Sequence, residues 1–318
     1  MNAIAVHRQA RRTPATLPLG IDIGSTRVRA ALLESTPGGP RLVAVAARER
    51  TGPIAERLRE LLGDLGTRER RCVFGVAEPE GLVRSVTFPQ MPARERAQAA
   101  RFEADRFTSS AEPVVIRLFP LEAKTRFTLA IARRSAIDAR LRLAGEIGLT
   151  CVAIDNAAFA YERLTRANEA LLDIGADAAM LYLYSDPVPS SHRFEGGGDR
   201  LTRAVAESLS IDRETAERRK RTHGLGGAAT NAVNALVESI SATLVGARSR
   251  GLRVDMLTLA GNGTRLSEIA VGLASSTGLQ VGTLETLPIP CATLPQDVVR
   301  AELPDWGLAI GLALRPAS

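Results

Sequence analysis

Apolar residues along this chain fall into short runs broken by turns of small and polar residues, and one such phrase occurs twice. Residues 17–34 read LPLGIDIGSTRVRAALLE, and residues 170–184 read ALLDIGADAAMLYLY. Each is an apolar run of strand length ending in Asp-Ile-Gly, a short turn, and a second apolar run, so Asp22 matches Asp173 and Gly24 matches Gly175. Both continue into a third expected strand, over Arg41–Arg50 and Ser190–Glu195. After the first copy, Cys151–Leu164 (CVAIDNAAFAYERL) predicts a strand running into an apolar helix. After the second, the period changes to that of helices. Thr230–Ser249 carries Val233, Leu236, Val237, Ile240 and Leu244 on one side. Val254–Ala274 then predicts strand, Gly-rich turn and helix, and Trp306–Arg315 (WGLAIGLALR) a closing helix. A strand-rich unit repeated half a chain apart predicts two α/β halves of similar construction.

Between the copies, residues 71–150 depart from the repeat. RRCVFGVAEPEGLVRSVTFPQMP predicts two strands around a turn. Ala93–Phe107 predicts a helix with Ala97, Ala100, Ala104 and Phe107 inward, and the residues from Thr125 to Thr150 add a strand and a second helix. This is a strand-helix-strand-helix insert in the first half. Gly224–Gly227 (GLGG) is expected to be a turn.

The repeated phrase suits phosphate chemistry. A tight turn of small residues exposes successive backbone N–H groups to an anion, and glycine lets the backbone come close. Facing hairpins would pinch a polyphosphate, with Asp22 and Asp173 holding a hydrated Mg²⁺, an ion that takes few protein ligands and keeps several waters. Gly197 and Gly198 precede an expected helix, and Gly261, Asn262 and Gly263 sit where another begins, a favourable place for an anion. Glu217 and Lys220 are three apart on one helical face. Each has a plainer reading: a tight turn, a surface ion pair, or, for Asp155, a helix N-cap.

Composition narrows the classes. With 318 residues the chain can bury two cores, and 45% hydrophobic residues fit a globular protein. No apolar run reaches the ~18–20 residues that a spanning helix needs. Residues 1–16 are expected to be a disordered basic tail. The net charge of +6 comes from 41 basic residues, of which only Lys124 and Lys220 are lysine. With 4% aromatics there is little to stack on bases, and no nucleic-acid partner is expected. Cys72, Cys151 and Cys291 are too scattered for a disulfide framework, and the three histidines show no metal-ligand spacing. There is no GxxxxGK[ST] loop, GxSxG elbow or HExxH helix.

In this order the pieces resemble the superfamily of actin, the heat-shock chaperones and the sugar kinases. The insert, with its Phe-Pro-Gln-Met-Pro phrase, resembles the branch of FtsA and the type IV pilus assembly family PilM, over nearly the whole chain from Leu17. The resemblance implies an actin-like ATPase fold of duplicated ribonuclease H-like halves with a 1C-type insert. Subdomain 1A would take residues 17–80, 147–168 and 303–318, and 1C residues 81–146. Subdomain 2A would take 169–203 and 250–302, and a reduced 2B 204–249. It implies ATP or ADP with Mg, phosphates against Gly24, Ser25, Thr26, Arg29, Gly175 and Ala176, and nucleoside against Gly197, Gly198, Glu217, Lys220, Gly261, Asn262, Gly263 and Arg265. Asp155 takes the place of the residue that positions the attacking water. The function implied is an adaptor, cytoplasmic and peripheral at the inner membrane, docking on the cytoplasmic tail of a PilN-like bitopic membrane protein. Membrane contact would be indirect, since after Leu314 the chain shows no amphipathic helix of the FtsA kind, and self-association stays open. The alternatives are an FtsA-like filament former and a small-molecule kinase. Three departures touch the chemistry: Arg29 where the family has lysine, no hydroxyl residue in the second hairpin, which also carries Asp177, and Asn262 where glycine is common. They point to a slow ATPase or a binder without turnover.

Overall fold

Both Asp-Ile-Gly phrases open a sheet, and the two sheets have one strand order. The computed structural model describes residues 15–107, 112–121, 125–184, 188–284 and 296–316; most of the expected tail and Cys291 lie outside these. Ala15–Thr16, placed in that tail from sequence, instead form a short strand, β1, paired with Ser35 and Glu34. There follow β2 (Leu19–Ile23), β3 (Arg27–Thr36), β4 (Gly39–Glu49), α1 (Ile54–Leu65) and β5 (Arg71–Val76). The insert comes next: β6 (Gly81–Thr87), α2 (Ala93–Phe107), β7 (Val114–Pro120) and β8 (Arg126–Arg133). Then come α3 (Arg134–Glu146), β9 (Thr150–Asn156) and α4 (Ala157–Glu162). The second half runs β10 (Glu169–Ile174), β11 (Ala178–Leu183), β12 (Ser190–Glu195), α5 (Gly198–Leu209), α6 (Arg213–His223), α7 (Thr230–Ser249) and β13 (Met256–Ala260). A 3₁₀ turn over Asn262–Arg265 leads to α8 (Ser267–Thr277), β14 (Gln280–Thr283) and α9 (Gln296–Ala313). The sheets run β4-β3-β2-β5-β9 and β12-β11-β10-β13-β14. In each, an antiparallel meander is extended by two parallel strands.

Strand alternation divides the buried apolar residues of these meanders between two cores. On β3, Val28, Ala30 and Leu32 join α1 and α3 in the first half's own core, while Ala31 and Leu33 face the other way. On β10, Leu172 and Ile174 pack under α7 and α8, while Leu171 faces the other way. The outward set of both sheets meets at α4 and α9, through Ala157, Tyr161, Ala309 and Ile310. Because Asp22 shares a face with Gly20, and Asp173 with Leu171, the same alternation turns both carboxylates toward that shared layer.

The helix α9 seats closely. A Cβ on Gly20 would lie 1.9 Å from the Ala309 carbonyl oxygen, and one on Gly311 would lie 2.1 Å from that of Ala160. On α7 the buried side is Val233, Leu236, Val237, Ile240 and Leu244, with Ser241 and Ala247.

Three expectations are corrected. Only Ala100 and Ala104 of α2 are buried, while Ala97 and Phe107 are exposed, because the stripe that meets the small sheet runs through Ala100 and Ala104. The insert is a three-stranded sheet, β6-β8-β7, under α2, whereas α3 packs into the core of the first sheet through Leu143 and Ala144. Residues 204–249 have no core of their own, since Val205, Ala216 and Val233 share one with Leu172 and Leu181.

Candidate functional site

The two hairpins turn alike. Gly24 N–H donates to Arg27 O at 2.9 Å and Gly175 N–H to Ala178 O at 3.0 Å, so Ser25–Thr26 and Ala176–Asp177 are matching turn tips. The tips face each other across a cavity of about 500 Å³ lined by Asp22, Gly24, Ser25, Thr26, Arg29, Asp173, Gly175, Ala176, Gly261 and Asn262. It continues past Thr26, Ala176 and Asn262 into a second hollow of about 280 Å³, lined by Gly198, Glu217, Lys220, Gly263 and Arg265. Thus hairpins, a helix start and a Gly-rich turn, distant in sequence, converge on one cleft.

Gly197 lines neither hollow. It lies beneath the second tip, where a Cβ would come within 2.4 Å of Gly175 O and 2.6 Å of Ala176 O, so it is the backbone's approach that requires glycine. Gly261 adopts φ +78 with its α-carbon against Asp173, and a Cβ there would lie 2.3 Å from Oδ1.

Lys220 Nζ sits 2.6 Å from Glu217 Oε2 and donates to Thr202 Oγ1 at 2.6 Å and Gly198 O at 2.9 Å. Burial would raise the Glu217 carboxyl, but hydrogen bonds from Lys220, Thr202 and Arg221 outweigh it and hold the group at about 2. Glu217 is therefore a fixed anion at the wall of the smaller hollow.

Asp155 falls outside the cleft. It is 5% exposed, with Oδ2 2.6 Å from Arg163 and Oδ1 3.1 Å from Arg315. Two arginines hold the carboxylate between α4 and the end of α9, away from any water in the cleft, so the water-positioning expectation is corrected. Its neighbour Asn156 caps α4, accepting from Ala158 N–H at 2.9 Å.

Asp22 and Asp173 are the two residues expected to hold a hydrated Mg²⁺. Burial raises Asp22, and Arg29 opposes the rise, its Nη1 lying 3.3 Å from Oδ2. Burial and the Asp22 charge lift Asp173 to about 6, although its Oδ2 accepts from Tyr161 Oη at 2.9 Å. One oxygen of each carboxylate is thus engaged, and a guanidinium stands at Asp22. Among the described residues no group of three or more His, Cys, Asp or Glu side chains could hold an ion. These residues do not fit a metal held by protein ligands alone; Mg²⁺ held largely through water needs fewer of them.

Sequence reasoning missed Asp305, which is 8% exposed on α9 and binds both halves at the cleft. Arg27 lies 3.8 Å from it and Arg265 3.6 Å, and the Asn262 amide, turned nitrogen-inward, donates to both oxygens at 2.6 Å. Tyr161 and Arg140 were also missed. Each lines the cleft from a helix whose sequence shows only apolar or charged surface periodicity. Arg140 donates to Gly75 O at 2.9 Å. No signal in the local sequence marks any of the three.

Two sheets of one strand order closing Asp-ended hairpins over a shared cleft define the actin-like ATPase fold. A family profile described as "Type IV pilus assembly protein PilM" matches residues 120–317. Among solved structures the chain is similar to that of a "PilM-PilN type IV pilus biogenesis complex", with TM-score 0.81 and 25% identity over 94% of this chain and 98% of that one. It shares its fold with the ethanolamine utilization protein EutJ from Carboxydothermus hydrogenoformans (TM-score 0.60, 13% identity, 96% and 91% covered). A glycerol dehydratase reactivase is similar at TM-score 0.57 and 11% identity, with 94% and 99% covered. No curated protein matches in sequence. The chain belongs to the type IV pilus assembly protein PilM family.

Proposed function

We infer that this chain is a nucleotide-binding adaptor of a type IV pilus or related assembly platform, docking on the cytoplasmic tail of a PilN-like inner-membrane protein. The observation that carries this is the match along almost the full length of the chain to one of a PilM–PilN complex. Family membership favours it over the filament-forming and kinase alternatives. No helix among the described residues is long and apolar enough to cross a membrane; it is docking on the partner's cytoplasmic tail that would hold the protein on that side.

The cleft supports the nucleotide half of the reading. Backbone N–H groups at the two tips and Arg29 would take the phosphates, while Glu217 and Lys220 would meet the ribose hydroxyls. Binding would set the angle between halves, and that angle the affinity for the tail. Mg²⁺, when present, would accompany the nucleotide as its counter-ion rather than as a resident of the site.

The test is calorimetric titration with the cytoplasmic tail peptide of a PilN-like protein from the same source, with and without ATP. Saturable binding whose affinity differs between the two conditions is expected. No binding in either condition would sink the adaptor reading.

A further inference from the structure

We propose that Arg29 stands in for the divalent cation, so that this cleft holds a nucleotide polyphosphate without Mg²⁺. The proposal rests on the nucleotide reading above and says what balances the charge in that site. The register of the first hairpin sets Asp22 directly opposite Arg29. Their side chains are 15% and 10% exposed and 3.3 Å apart. The strand sets this guanidinium beside the carboxylate, and a metal ion approaching Asp22 would meet its charge.

Arg29 is moreover incomplete as it stands. Its Nε is buried without a hydrogen-bond partner, although the residue lines the cavity between the two tips. A buried unpaired donor is costly, and a charged one more so. A phosphate group is an acceptor that a planar guanidinium matches well, since two of its oxygens can take two parallel N–H groups. Mg²⁺ by contrast is held at such a site through one or two carboxylates beside phosphate oxygens and its own waters. The other candidate carboxylate offers little toward such a set: Asp173 Oδ2 accepts from Tyr161, and Oδ1 lies against the Gly261 backbone. In the second hairpin the register places apolar Met180 opposite Asp173, where the first has Arg29. Arg29 is therefore a cation already in place between the two aspartates and facing the phosphate path, with Arg50 and Arg140 further along the same lining.

The experiment is calorimetric titration of the full chain with ATP, in excess Mg²⁺ and again in EDTA, for the parent and Arg29→Lys. For the parent, affinities that agree within about threefold are expected. Arg29→Lys, whose ammonium presents no fork, is expected to bind more weakly in EDTA than in Mg²⁺ by about tenfold or more. A parent that loses about tenfold in EDTA overturns the proposal while leaving the nucleotide reading intact. A lysine variant as indifferent to Mg²⁺ as the parent overturns the assignment to Arg29. Absence of binding in both conditions overturns the nucleotide reading itself and the proposal with it. Thermal melting of the empty variant, expected to match the parent, separates loss of affinity from loss of fold.

Discussion

Asp155→Ala tests whether the carboxylate after β9 is a strut or a part of the cleft. In the folded protein it is 5% exposed and bridges Arg163 and Arg315, whose side chains are 21% and 32% exposed. Its Oδ1 also accepts from Asn156 N–H at 2.9 Å. Removing one partner of a buried pair costs roughly 3–5 kcal/mol, because the other charge is left without compensation. Here Arg163 keeps Gly311 O at 2.8 Å, and Arg315 retains a third of its side chain in solvent, so the low end applies, about 3 kcal/mol. At roughly 2–4 °C per kcal/mol for a chain of this size, melting should fall by about 6–12 °C. The assay is differential scanning calorimetry, with ATP affinity measured well below the transition. Because Asp155 lies outside the cleft, affinity should stay within about twofold of the parent. A variant that melts with the parent yet loses nucleotide would refute the reasoning and return Asp155 to the site.

Three further outcomes follow from the geometry. Gly197→Ala puts a methyl 2.4 Å from Gly175 O, which must displace the second phosphate tip; ATP affinity should fall by about tenfold or more, and unchanged affinity would mean that the tip does not touch ligand. Gly20→Ala drives a Cβ to 1.9 Å from the Ala309 carbonyl, against backbone that cannot rotate away, and should destabilise by about 3 kcal/mol or more, the upper end of overpacking; a melting point within a degree of the parent contradicts the seating of α9. Asp173 supplies a pH test: with the folded pKa raised to about 6, the native state keeps a proton that the unfolded chain, near 4, has released. Its ionisation therefore subtracts stability, not at all below about pH 4, increasingly through 6, and fully above. Asp173→Asn in the empty protein should melt higher than the parent at pH 8, by the equivalent of roughly 1–3 kcal/mol, with the gap closing by pH 4; a pH-independent gap would contradict this.

The sequence carried the meanders because duplication supplies its own control. One Asp-Ile-Gly turn is commonplace, but two in the same frame, each followed by a third strand, predict the β2-β3-β4 and β10-β11-β12 meanders. The inner side of α7 was legible because Val233, Leu236, Val237, Ile240 and Leu244 are large enough to mark a stripe. On α2 alanines had to carry the pattern. Alanine is compatible with either face, so Ala97 could not be told from Ala100. The strand β7 was missed although Val114–Leu118 is apolar, since Arg117 and the prolines at 113 and 120 interrupt the alternation. The allegiance of α3 depends on which sheet lies beneath Leu143 and Ala144, and no local pattern encodes that.

What stayed hidden in the cleft has one physical cause, namely that its polar groups act across elements. Asp305 meets Arg27 from β3 and Asn262 from the turn after β13, and Tyr161 reaches from α4 to Asp173 on β10. None of these partners lies within a helical turn or a strand pair of the other. The same separation bears on how the cleft could govern docking. The halves are joined at α4 and α9, where Gly20 and Gly311 bring backbone against backbone. They are joined again at Ser191 on β12, which donates to Glu78 at 2.5 Å. Glu78 lies just before β6, the first strand of the insert, and also pairs with Arg84 within that strand at 3.3 Å. The first contact brings backbone against backbone, whereas the second joins the Ser191–Glu78 hydrogen bond to side-chain packing of Val83 with Val188 in the shared core. If nucleotide sets the angle between the halves, as proposed above, Glu78 and Val83 are the residues through which the insert would feel it.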